Sequence, residues 1–145
     1  MALVGDPSAP RGAMGSGEVR GAVRLPIAEG SVRLARQWIA LQLAMASPRF
    51  DADQVTDAML AVSELVTNVL RHTDSAPVLR FGERDDCVAV EVYDHHPDRP
   101  RLHPVDSGRP SGHGLRIVDA LADSWGYTAL EDGRKFVWFE MVGRR

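Results

Sequence analysis

The sequence predicts an α+β two-layer sandwich, a mainly antiparallel mixed sheet covered on one face by about three helices. Three observations predict it. Two stretches with helical apolar spacing follow one another without a strand between them, at 31–47 and from about Asp51 to the "RHTDSAP" stretch at 71–77. Two strand-like runs, "VLRFGER" (78–84) and "CVAVEVYD" (87–94), are separated only by Asp85-Asp86, which is hairpin spacing. A third helical pattern then precedes a last pair of strand-like runs. The resulting order is β, α, α, β, β, loop, α, β, β.

Residues 1–20, "MALVGDPSAPRGAMGSGEVR", are rich in Gly, Ala, Pro and Ser and lack any apolar period, so a disordered tail is expected there. The folded domain is expected over 21–143. It opens with a short strand in "GAVRLPI" (21–27). In 31–47, Val32, Ala35, Trp38, Ile39 and Gln42-Leu43 recur at helical spacing, with Ser31 as the expected cap. Pro48 breaks that helix. Asp51 or Asp53 then caps a longer one, striped by Val55, Met59, Val62, Val66 and Val69.

Beyond the hairpin, residues 95–111 hold Pro97, Pro100, Pro104, Gly108 and Pro110. A loop of that length is more than a connection and belongs to the kind that carries function. "GHGLRIVDALADSWG" (112–126) begins with glycines and becomes helical, with Leu115, Val118, Leu121 and Ala122 on one face. "WGYTALEDGRKFVWFEMV" reads as two strands joined at Asp132-Gly133.

At 145 residues the chain is the size of one domain. Its charge of −3 and 44% hydrophobic content exclude a disordered chain and give no basic surface for direct nucleic-acid binding. The single cysteine, Cys87, cannot form an internal disulfide. Its apolar setting marks a strand residue, and a reducing compartment fits best. No apolar run approaches the roughly 20 residues that cross a bilayer, and no charged-then-apolar leader opens the chain. A cytoplasmic protein without a membrane partner is expected.

Three stretches could carry chemistry. In "SELVTNVLRH", Glu64 and Asn68 lie four residues apart on one helix face, with His72 one turn on. A solvated polar face opposite the valines explains that spacing; so does a proton-accepting carboxylate beside a carboxamide oxygen that helps hold Mg2+. Asp94 falls in register with Val88, Val90 and Val92, the row that should face the core. It either accepts from a nearby backbone donor or awaits a donor on a ligand, such as the amino group of adenine. In "GHGL" (112–115), glycines at a helix start leave backbone N–H groups that attract phosphate, although a G-x-G alone is weak. A metal site built from His95, His96, His103 or His113 with Asp94 or Asp106 is a lesser reading, because adjacent histidines on irregular chain tend to point apart.

Taken in order, "SELVTNVLRH", "VEVYD" and "GHGLRIVDALADSWG", closed by "GRKFVWFEM", resemble the GHKL ATP-binding superfamily. Within it the chain is most similar to the anti-sigma-factor serine kinases of the RsbW type, over roughly residues 21–142. The resemblance implies a Bergerat-type sandwich that holds ATP between helices and sheet under a lid loop. It implies Glu64 as the general base toward a serine or threonine hydroxyl, Asn68 as the Mg2+ ligand, and His72 as part of the ATP site. Asp94 would bind the adenine amino group, while Gly112, His113, Gly114 and Leu115 would cradle the phosphates. The implied partners are an anti-anti-sigma (STAS-domain) protein as phosphoryl acceptor, a sigma factor held in sequestration, and a second copy in a homodimer. The chain departs from the pattern twice. His95, His96, Pro97 and Asp98 follow Asp94 where Asp-x-Gly-x-Gly is common, and Gly133-Arg134-Lys135-Phe136 lacks the usual hydroxyl before the last strand. A catalytically weak or inactive module that acts by partner capture is therefore the alternative.

Overall fold

A computed structural model of the chain describes residues 18–94, 115–130 and 134–143. Five strands and three helices account for nearly all of them: β1 (Glu18–Arg24), α1 (Gly30–Met45), α2 (Ala52–His72), β2 (Pro77–Arg84), β3 (Cys87–Asp94), α3 (115–121), β4 (Ser124–Ala129) and β5 (Lys135–Val142). The strands form one sheet in the order β1-β2-β3-β5-β4. Each of the four described ladders is antiparallel. The α+β sandwich expected from the sequence is the fold observed.

Strand β1 begins at Glu18, so Glu18, Val19 and Arg20 belong to the sheet and not to the expected tail. Their order comes from pairing, which a search for apolar periodicity does not see: Glu18 and Val19 pair with Glu83 and Gly82, and a bulge follows before Gly21. Arg20 also approaches Glu83 at 3.6 Å.

Helix α1 starts one residue before Ser31, and Glu29 stands at its N-cap without a side-chain hydrogen bond. The predicted cap is therefore corrected. Ser31 is buried in the first turn and donates to the Pro26 carbonyl, which ties the strand-to-helix turn to the helix. In α2 the choice between Asp51 and Asp53 falls to Asp51. Its Oδ1 accepts from the Gln54 N–H at 2.8 Å, and its own N–H donates to Gln54 Oε1 at 3.1 Å, forming a capping box. Gln54 also donates through Nε2 to the Val142 carbonyl, fixing the start of α2 to the end of β5.

The main core lies between the helices and one face of the sheet. Ala35, Ile39 and Leu43 of α1 and Ala61, Val62, Leu65 and Val66 of α2 meet Leu79, Phe81, Val88, Val90, Val92, Phe139 and Met141. Trp38 packs edge-on against Phe81, with ring centroids 6.5 Å apart. Helix α3 contributes Val118, fully buried, with Leu115 and Ala122 packed beside it. It ends at 121, and Ser124 to Gly126, expected near the helix end, begin β4. The other sheet face carries a smaller cluster of Tyr93, Phe136 and Trp138. No helix among the described residues is long and apolar enough to cross a membrane.

Candidate functional site

The buried arc of α2 is wider than its valine stripe, because Ala58, Ala61 and Leu65 are buried with Val62, Val66 and Val69. Thr56, Leu60 and Arg71 occupy the exposed side. Glu64, Asn68 and His72 are half-buried at the border between the two. A fully solvated face, the simpler sequence reading, is thus not what the structure shows. Successive members of the row stand about 6 Å apart along the helix axis.

Asp94 ends the row Val88, Val90 and Val92, all buried, and is itself half-buried. A side-chain hydroxyl reaches its carboxylate. Ser75, 7% exposed, donates its hydroxyl to Asp94 Oδ1 at 2.8 Å. Behind Ser75 stands Thr73, the C-cap of α2, whose Oγ1 lies 2.8 Å from Ser75 Oγ and accepts from the Ser75 N–H at 3.1 Å. Thr73 donates to the Val69 carbonyl through its N–H at 3.0 Å and its hydroxyl at 2.8 Å. An unbroken chain of hydrogen bonds therefore runs from the helix turn that follows Asn68 to the end of β3. It joins the end of α2, with Asn68 and His72, to Asp94.

Ser75 was missed in the sequence, although a signal for it exists. A hairpin closing on Asp85-Asp86 pairs Arg84 with Cys87 and, counted outward, Pro77 with Asp94, as observed. A polar side chain just before Pro77 is then a natural neighbour of Asp94. On the other side Asp94 pairs with Lys135 of β5, on the same face of the sheet. No hydroxyl stands at that position, in keeping with the second departure noted above.

Leu115 packs against the main core with its side chain half-buried. Gly112, His113 and Gly114 lie outside the described residues, as do His95, His96, His103 and Asp106. Among the described residues no three His, Cys, Asp or Glu side chains are grouped to hold a metal ion. The oxygen donors of Glu64 and Asn68 are of the hard type that suits Mg2+, and the Asp94 carboxylate can accept from an amine. The residues present thus fit a magnesium nucleotide.

The opposite sheet face holds its polar groups differently. Glu91, 2% exposed, accepts from the Tyr93 hydroxyl at 2.7 Å and lies 3.4 Å from the Arg80 guanidinium. Burial first, and the Glu91 charge second, hold the Tyr93 hydroxyl far above the ordinary phenol range. Burial, with Glu140 adding to it, pushes the Cys87 thiol up to about 12, as befits a strand residue and not a nucleophile.

Residues 25–141 match the model of the histidine kinase-like ATPase domain family. No curated protein matches the chain.

Proposed function

Because the chain belongs to the histidine kinase-like ATPase domain family, an ATP-binding fold, we propose that it is a protein serine/threonine kinase of the anti-sigma-factor type. The observation that carries this reading is the joining of Asp94, at the end of an apolar strand row, to the helix end that bears Asn68 and His72. Asp94 accepts from the adenine amino group. Asn68 helps hold Mg2+, which arrives with ATP and offsets charge on its phosphates, and His72 lines the same side. The backbone from Gly112 through His113 and Gly114 to Leu115 receives the phosphates. Glu64 accepts the proton of a hydroxyl on a STAS-domain partner; the hydroxyl oxygen bonds to the terminal phosphorus, and ADP leaves with the electrons of the broken P–O bond. Sequestration of a sigma factor, a homodimeric state and a cytoplasmic setting complete the proposal.

Incubation with labelled ATP, Mg2+ and a candidate STAS-domain protein tests it. Label should pass to the partner with the wild-type chain and fall by at least about 100-fold with Glu64→Ala. Undiminished transfer by that variant removes Glu64 as the base.

Two observations favour a second reading. The residue paired with Asp94 on β5 is Lys135, and the segment after Asp94 has no glycine before Gly108. A module that binds ATP without transferring its phosphate, and acts by partner capture, would tolerate both. Tight ATP binding by calorimetry without transfer selects this reading over the kinase.

A further inference from the structure

We infer that Ser75, supported by Thr73, is the positioning residue that aims the Asp94 carboxylate and so sets the preference for a 6-aminopurine over other purines. The inference rests on Asp94 as the adenine-facing group. A hydroxyl has one proton to give. Thr73 and Ser75 together have two, yet three contacts draw on them: Thr73 to the Val69 carbonyl, Thr73 with Ser75, and Ser75 to Asp94. The Thr73 N–H already donates to that carbonyl. The Thr73 proton can therefore turn to Ser75 Oγ while Val69 keeps a donor, and the Ser75 proton goes to Asp94. Each hydroxyl so polarised is a stronger donor to the next group, and the chain points at the carboxylate.

The terminal torsion of an aspartate is soft, so one oxygen held by a buried donor fixes the direction of the other. That is what recognition of a single amino group needs. The fold does not depend on this bond. Pro77 and Asp94 are paired in the β2–β3 ladder, the Leu25 N–H donates to the Pro77 carbonyl at 2.8 Å, and Thr73 closes α2 by itself. Since β5 brings Lys135 and no hydroxyl to this place, the loop before β2 supplies the hydroxyl that Asp94 receives.

The test measures the affinity of the full chain, by calorimetry with Mg2+, for ATP and for purine riboside triphosphate, which lacks the 6-amino group. Wild type should prefer ATP. Ser75→Ala should lose about fivefold to tenfold in ATP affinity while its affinity for the analogue stays the same. Ser75→Thr should restore the preference, and Thr73→Val should reduce it by about twofold. Equal weakening of both ligands in Ser75→Ala marks a merely structural bond and overturns the inference. An unchanged preference in Ser75→Ala alongside its loss in Asp94→Ala overturns the role of Ser75 alone. No preference in wild type overturns this inference together with the adenine assignment of Asp94.

Discussion

Glu91 and Asp94 lie three residues apart on β3 and so on opposite faces of the sheet. Glu91 is enclosed within the protein. Tyr93 and Arg80 flank it, Trp138 pairs with it across β5, and it is almost fully buried. Asp94 sits at the strand's end, half-buried, and is reached by Ser75 from a loop that also closes α2. The same side chain type serves two ends. A carboxylate surrounded by internal donors in mid-sheet fixes a fold, whereas one at a strand end beside a helix terminus is placed to meet a ligand.

That contrast predicts that changes on the far face alter stability and leave nucleotide binding alone. Glu91→Ala should have the largest effect, about 3 kcal/mol off the urea-unfolding free energy, because it leaves the half-buried Arg80 guanidinium without its carboxylate. The triple replacement Arg80→Met, Glu91→Leu and Tyr93→Phe should recover most of that loss, since an apolar set needs no internal donors. Comparable ATP affinity in the folded proteins keeps the two faces separate; a large loss in Glu91→Ala would join them.

Gly126 on β4 lies under the Trp138 ring, and a β-carbon there would stand 2.5 Å from the indole. Gly126→Ala should lower stability by about 1–3 kcal/mol in the same measurement, because the rigid ring must shift. Thr128 Oγ1 is buried without a hydrogen-bond partner among the described residues. Thr128→Val, close in shape, should therefore raise stability by about 1 kcal/mol.

Cys87 gives an effect that depends on pH, with a definite sign. Its thiol is pushed up from 9.0 to about 12 in the folded chain, so the unfolded chain loses its proton first. The contribution is complete below pH 9.0 and is lost as pH rises toward about 12. Between pH 8 and pH 10 the urea midpoint of wild type should fall further than that of Cys87→Ser. A fall of the same size in both would mean that the folded thiol titrates normally.

Most of the fold was legible because its elements follow apolar periods: the hairpin at Asp85-Asp86, the stripe of α2 and the row Val88, Val90 and Val92 are local patterns. What escaped was set by contacts that apolar periods do not encode. The strand residues before Gly21 are ordered by β2, and Ser31 is turned away from capping by the Pro26 carbonyl. The half-buried setting of Glu64 and Asn68 depends on how much of α2 the sheet covers, which valine spacing understates. The facing of Asp94 was readable by counting along one strand, but its partner required the register of two strands and the path of the loop between helix and sheet.

The most direct measurement is ATP affinity, by calorimetry in the presence of Mg2+, for wild type and Asp94→Ala. Removing the carboxylate should weaken ATP by at least about tenfold, the worth of a charged hydrogen bond to the base, while the thermal midpoint changes little. Equal affinities in the two proteins would contradict the placement of the adenine at the end of β3.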